Sequence, residues 1–282
     1  MEPEESQVSA TAVNPNKALW EKGDFTRIAA YMRESGERIV STLGVKPTHK
    51  VLDLGSGDGT TAVPLARTGA DVTAIDIARN LVEAGNRRAT AMGLKNLRFQ
   101  EGDAQVLEGV PDASFDLALS IFGAMFAPRP FDVAQQMVRV TKPGGTIVMG
   151  NWIPNDPTSF VSQLLKISSA FTPPPPEGFV SPMLWGVEAN ILERFEKAGV
   201  PASSIAMAPE TYLFEGPGTP ESYIEEFRQY YGPTMNAFEA AEKNGKEGEL
   251  RAQLVALART HNRSQGGISI PATFMRVTVK RP

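Results

Sequence analysis

Val51-Leu52-Asp53-Leu54-Gly55-Ser56-Gly57-Asp58-Gly59-Thr60 carries an apolar run into a glycine-rich turn, and an alanine-rich segment able to form a helix follows. That order opens a βαβ unit, in which a tight turn presents backbone N–H groups and a helix N-terminus to a ligand. Gly55, Gly57 and Gly59 make a GxGxG, a weak signal until the acids around it are considered. A pyrophosphate is drawn to the positive end of a helix, so a dinucleotide turn has no place for a carboxylate there. Here Asp53 leads into the glycines, Asp58 stands among them, and Thr60 occupies the last glycine position of GxGxxG. Two unit charges about 4 Å apart interact by about 4 kcal/mol at an effective dielectric of 20. The turn is therefore expected to suit a ligand bearing positive charge, such as an ammonium or a sulfonium. An acidic surface turn in an ordinary α/β protein is the bland alternative.

Working outward, residues 1 to about 16 are polar and acidic and read as a disordered tail. Phe25, Ile28, Met32, Ile39 and Leu43 keep a helical period from Asp24 to Gly44. A helix there can fold back over the first strand and hang Trp20 and Phe25 above the ligand. Beyond the turn, Asp71–Asp76, Leu97–Gln100, Phe115–Phe122 and Thr146–Trp152 read as strands. Helices over about 59–67, 79–92 and 131–140 separate them, and Lys142-Pro-Gly-Gly145 reads as a turn. Strand and helix alternate through the first 150 residues or so, which is the doubly wound pattern. After Trp152 a helix is expected from Asp156-Pro157, a stiff linker over Pro173–Pro176, a helix over about 187–198 and a strand over 204–214. Thr219-Pro220 opens another helix, Gly232-Pro233 is expected to end it, and 272–279 reads as the last strand. The chain is thus read as one domain over 17–282, with 153–260 contributing a substrate cap.

The chain has 282 residues, with 28 basic and 32 acidic side chains and a net charge of −4. No clustered basic face suggests a nucleic acid, no apolar run approaches a membrane span, and Met1–Asn16 lacks the order of a signal peptide. A cytoplasmic protein acting on a small molecule is expected, with its oligomeric state left open. There is no cysteine, and the histidines are His49 and His261 alone. Thiolate chemistry is excluded and no metal is expected. His49 precedes the first strand, away from the ligand, and reads as structural.

Three acids fall at strand ends in the order an adenosine site requires. Asp53 ends the first strand. Asp76 ends the second, 23 residues on, where a carboxylate accepts both ribose hydroxyls. Asp103 follows the third and can accept from an adenine amino group. Taken together, Val51–Thr60, Ala74-Ile-Asp76-Ile77, Glu101-Gly-Asp103-Ala104 and Val140-Thr-Lys-Pro-Gly-Gly145 resemble the class I S-adenosylmethionine-dependent methyltransferases. Ser120–Pro128, Asn151-Trp152, Pro173–Pro176 and Leu184-Trp-Gly186 are similar to a bacterial small-molecule subgroup.

The resemblance implies a Rossmann-like sheet of seven strands, the last antiparallel, with helices on both faces and a helical cap. It implies S-adenosylmethionine as cofactor and S-adenosylhomocysteine as product. Asp53, Gly55, Ser56, Gly57 and Thr60 of the turn are assigned to that cofactor. Asp76 would bind the ribose, Ile77 would pack on adenine, Asp103 and the Ala104 amide would read the adenine edge, and the Ser120 carbonyl would meet the ammonium. Methyl transfer needs an aligned nucleophile and dry surroundings more than covalent help. The one candidate base is His261, at a helix end. Trp20, Phe25, Trp152, Trp185 and Tyr230 are the candidate acceptor pocket, whose aromatic character suggests an apolar or aromatic acceptor. Two rivals differ in class: a protein that binds the cofactor without transferring its methyl group, and a nicotinamide-dependent dehydrogenase, which the missing GxxG disfavours.

Overall fold

The computed structural model describes Asn14 and residues 16–282, so most of the expected disordered tail lies outside the described residues. The chain begins with three short helices, α1 (Asn16–Glu21), α2 (Phe25–Ala29) and α3 (Arg33–Ser41). The single helix expected from Asp24 is therefore two, joined by a 3-10 turn at Ala30–Met32. Asp24 caps α2 by accepting the Thr26 N–H at 3.2 Å. The doubly wound core follows as β1 (Lys50–Leu54), α4 (Ala62–Arg67), β2 (Asp71–Asp76), α5 (Arg79–Ala91), β3 (Leu97–Glu101), β4 (Phe115–Ile121), α6 (Pro130–Val140) and β5 (Thr141–Trp152). The remainder is α7 (Phe160–Ser169), α8 (Glu188–Lys197), β6 (Ile205–Gly216), α9 (Pro220–Tyr230), α10 (Gly232–Lys243), α11 (Glu247–His261) and β7 (Ile268–Lys280).

The seven strands lie in the order β3-β2-β1-β4-β5-β7-β6. β1 to β5 are parallel, and β7 runs antiparallel between β5 and β6. The order reverses between β1 and β4, and an open α/β sheet holds its ligand at such a switch point, outside the carboxyl ends of the strands. Buried apolar side chains cover both faces. Val51, Val72 and Leu117 pack with Val63 and Leu65 on one side, while Leu52, Leu54 and Ala118 pack with Val133 and Met137 on the other.

Three boundaries depart from expectation for local reasons. Lys142-Pro-Gly-Gly145 lies within β5, where the register with β4 jumps from Phe115/Thr141 to Leu117/Thr146, so the turn is a bulge inside the strand. Asp156-Pro157 forms no helix, because Asp156 Oδ1 accepts the Thr158 N–H at 2.8 Å and hydroxyl at 2.6 Å, and α7 waits until Phe160. Gly232-Pro233 opens α10 rather than merely ending α9, since proline in a first turn has no helical N–H to lose.

The segment 153–260 also divides its labour. α8 packs beside α6, in the helical layer flanking the sheet. α7, α9, α10 and α11 pack on one another, and α1 and α2 meet them through α10 and α9. The amino-terminal helices are bolted to β6. The Tyr212 hydroxyl donates to the Met32 carbonyl at 2.7 Å, while Ser35 Oγ accepts the Leu213 N–H at 3.0 Å and donates to its carbonyl at 2.9 Å. Tyr212 is 1% exposed, so removing its hydroxyl orphans a buried acceptor. Tyr212→Phe is expected to lose about 1–3 kcal/mol in urea denaturation; an unchanged midpoint would show that this bolt does not hold the fold.

Candidate functional site

A cleft enclosing about 620 Å³ of empty space opens at the switch point. Gly55 and Gly57 line its floor with φ of +62° and +55°, backbone that glycine adopts without strain. The Gly55 and Ser56 N–H groups both donate to the Ile75 carbonyl, at 2.8 and 3.2 Å, which extends the β1–β2 ladder into the turn. A Cβ on Gly55 would stand 2.5 Å from Gly123 Cα, and one on Gly123 would strike the Gly55 backbone. The two backbones touch, and this contact brings the end of β4 onto the glycine turn.

Asp76, Ile77, Asp103 and Ala104 line the same cleft with the two glycines. Asp76 accepts the Gly57 N–H at 2.8 Å and the Ala78 N–H at 2.9 Å. Burial raises its pKa to about 6 against these N–H bonds, with nearby Asp58 raising it further. Asp103 accepts the Gln105 backbone N–H at 2.9 Å and, at 3.1 Å, the Asn14 amide, so the ordered chain reaches into the cleft from within the expected tail.

Four members of the expected cofactor set stand elsewhere. Asp53 is buried beneath the turn, its Oδ2 accepting the Thr61 hydroxyl at 2.5 Å, and burial raises its pKa to about 7. Ser56 is buried and does not reach the cleft. Thr60 accepts from Arg33 Nη1 at 2.6 Å and docks α3 against the loop. Ser120 donates its hydroxyl to the Leu54 carbonyl at 2.8 Å and accepts the Ala124 N–H at 2.9 Å. Its main chain lies in the ladder opposite Met149, and Phe122, Gly123 and Ala124 line the cleft in its place.

The charge argument made from Asp58 is corrected too. Its carboxylate pairs with Arg33, and Arg88 Nη1 donates to the Asp58 and Gly59 carbonyls at 3.2 and 3.0 Å. Two arginines thus brace the loop from behind, and the acids that line the cleft are Asp76 and Asp103.

Beside the cleft lies a second, narrower chamber, with about 370 Å³ of space not filled by atoms when open solvent is included, lined by Trp20, Phe25, Ile28, Met32, Phe122, Phe126, Trp152, Val161, Phe214, Phe227 and Tyr231. Trp20, Phe25, Phe122 and Phe126 are common to both cavities. Phe122 stacks face to face on Trp152, centroids 3.6 Å apart and planes within 7°, and holds φ at +62°. A bulky residue in that region is strained, and such strain concentrates at functional positions.

Of the expected pocket residues, Trp20, Phe25 and Trp152 line this chamber, and two do not. Trp185 is core: 1% exposed, 6.0 Å from Phe195, with the Arg194 guanidinium 4.5 Å over its ring. Tyr230 is half-buried outside, under the Arg27 guanidinium at 5.3 Å, and Tyr231 takes the inner position. The period that places Phe227 inward selects 231, one turn on, rather than 230. His261 also lies outside both cavities. Its ring packs 6.2 Å from Phe160, which in turn packs on Phe214 and Phe227, and burial lowers its pKa. Phe122, Gly123 and Phe126 were missed as site residues. Their trace in the sequence is the stretch Ser120–Pro128, similar to the small-molecule subgroup, with its phenylalanine-glycine pair at the end of an apolar strand.

A methyltransferase-domain family model matches residues 52–149. The uncharacterized protein Rv1403c of Mycobacterium tuberculosis is 31% identical over 259 residues, 91% of this chain and 90% of its own length. The chain belongs to the class I S-adenosylmethionine-dependent methyltransferases. A demethylmenaquinone methyltransferase of Paenarthrobacter aurescens is 37% identical over 114 residues, 40% of this methyltransferase and 43% of that one. Phosphoethanolamine N-methyltransferase 2 of Haemonchus contortus, solved with S-adenosylhomocysteine, shares the fold at a TM-score of 0.59 and 15% identity, covering 94% of this chain and 60% of that one. Its cofactor is S-adenosylmethionine, and the cleft fits that group. Asp76 and Asp103 offer acceptors, Gly55 and Gly57 permit close approach, and Ile77 and Leu81 add apolar wall.

Two outcomes follow. An ionised Asp76 accepts two hydroxyl protons and a neutral one does not, so affinity falls as pH drops through about 6. Calorimetry is expected to show cofactor binding about tenfold weaker at pH 5 than at pH 8, with the dependence lost in Asp76→Asn. Gly123→Ala, whose Cβ has only backbone to displace, is expected to weaken cofactor binding more than tenfold; wild-type affinity would remove the glycine contact from the site's design.

Proposed function

We propose that the enzyme transfers the methyl group to a small, flat, apolar or aromatic acceptor held in the second chamber. The observation that carries this reading is the chamber's lining, eleven residues without a charged side chain or a histidine among them. S-adenosylmethionine, when bound, supplies an electrophilic methyl group on a positively charged sulfur. Asp76 holds the ribose, Asp103 and the Ala104 N–H read the adenine edge, and Ile77 and Leu81 pack on it. Trp152, Phe214 and Phe227 exclude water and orient the acceptor, and proximity of this kind supplies much of the rate. The lining side chains that carry an O–H or N–H group are Tyr231, Trp20 and Trp152. Burial holds the Tyr231 phenol above its usual pKa, so it orients an acceptor oxygen and does not remove a proton.

An acceptor that needs no strong base fits this site, because its nucleophile is acidic or electron-rich on its own account. Phenols, catechols and quinols have that property. Demethylmenaquinone, the acceptor in the name of the Paenarthrobacter relative, is flat and apolar in the same way. The net charge of −4 supports a small molecule over a nucleic acid and, with the lack of cysteine, a cytoplasmic setting. Among the described residues no helix is long and apolar enough to cross a membrane.

The test is release of S-adenosylhomocysteine across a panel of phenols, catechols, quinols and amines. Turnover confined to charged, polar acceptors would defeat the proposal. With the best acceptor, Val161→Phe, which fills the chamber from α7, is expected to lower kcat/KM more than tenfold and leave cofactor affinity intact. His261→Ala is expected to stay within about threefold of wild type, since a positioned base is typically worth 10²–10⁴-fold.

A further inference from the structure

The cleft and the chamber share four residues, and all four are aromatic: Trp20, Phe25, Phe122 and Phe126. A methyl group that left a cofactor in the cleft for an acceptor in the chamber would cross that boundary, and the sulfur carrying it would lie beside those rings. The sulfur is positively charged before transfer and neutral afterwards. A buried positive charge needs a partner, or it costs several kcal/mol. Among the described residues no carboxylate is left for it. The acids lining the cleft, Asp76 and Asp103, are the ones assigned to ribose and adenine. Asp53 is turned down to Thr61, Asp58 is paired with Arg33, and the chamber wall carries no charge.

The rings themselves are set at steep angles. Trp20 meets Phe126 at 5.0 Å and 72°, and meets Phe25 at 5.8 Å and 88°. Aromatic faces attract cations within about 6 Å, and most strongly where water is excluded.

We propose that Trp20, Phe25, Phe122 and Phe126 form an aromatic collar that recognises the sulfonium charge, so that the enzyme binds its charged cofactor in preference to the neutral thioether product. The collar takes the place that a carboxylate would otherwise fill. It also favours exchange of spent product for fresh cofactor. The inference rests on the cleft being the cofactor site, and its test needs no acceptor.

Calorimetry on the full chain with S-adenosylmethionine, S-adenosylhomocysteine and the amine-bearing analogue sinefungin reads the effect directly. The two cationic ligands are expected to bind about five- to thirtyfold more tightly than the thioether. Trp20→Leu and Phe126→Leu, which keep apolar bulk and lose the ring, are expected to bring that ratio towards one while S-adenosylhomocysteine affinity stays within about threefold. Trp20→Phe, which keeps a ring face, is expected to retain most of the preference. A wild-type ratio near one, or leucine variants that weaken charged and neutral ligands equally, would overturn the collar and leave the cofactor site standing. Failure of the wild type to bind either the cofactor or its product would overturn the assignment of the cleft itself. Thermal melts of both leucine variants separate loss of fold from loss of recognition.

Discussion

Two glycine backbones in contact set the geometry on which this site depends. Gly55 follows β1 and Gly123 follows β4, and neither has room for a Cβ. The chains that leave neighbouring strands at a switch point run to opposite faces of the sheet, and the crevice between them is useful only if its floor is closed. The Gly55–Gly123 contact closes it. The hydroxyl of Ser120 repeats the tie one layer down, bonding at once to the Leu54 carbonyl and the Ala124 N–H. Because these contacts are made by main chain and a buried hydroxyl, they hold the loop after β4 against the glycine turn. The position of Phe122 and Phe126 follows from them.

Around that floor the molecule separates recognition from support. Asp76 and Asp103 face the cleft, whereas Asp53 and Asp58 lie in the scaffold, each held by a partner of its own. Arg33 is the link between the two, because it neutralises Asp58 and bonds to Thr60 while its helix is bolted to β6 through Ser35. The helix α3 and the loop that forms the floor of the site are therefore one mechanical unit. The charged side chains stand at the Asp76–Asp103 end of the cleft, and the end it shares with the chamber is aromatic.

Much of this was legible in the sequence, and what was not has a common cause. Strand ends, the glycine turn and the order of the acids are local signals, since each is fixed by neighbours within about ten residues. The doubly wound order and the placement of Gly55, Gly57, Asp76 and Asp103 at its edge could be read from them, whereas the seven-stranded sheet followed from the family resemblance. Partners distant in sequence could not. Nothing near Asp58 announces Arg33, so a neutralised carboxylate read as a free one. Trp185 and Tyr230 are aromatic residues in the expected stretch, yet burial of the first against Phe195 and the helical phase of the second decide against both. Gly232-Pro233 has a double meaning, because the same dipeptide that breaks one helix is well suited to begin another. Helix packing, not composition, resolves each case.

Phe122 shows how such a site limits its own refinement. A phenylalanine in left-handed backbone carries a conformational cost of about 1–3 kcal/mol, and here its face-to-face stack on Trp152 and its bond to the Gly150 carbonyl at 2.9 Å hold it in place. Glycine would relieve that strain and take away the wall between the two cavities in the same step. Selection for robustness and selection for catalysis therefore pull in opposite directions at one residue, and a family member that abandons one of its two cavities would be free to settle the conflict in favour of the backbone.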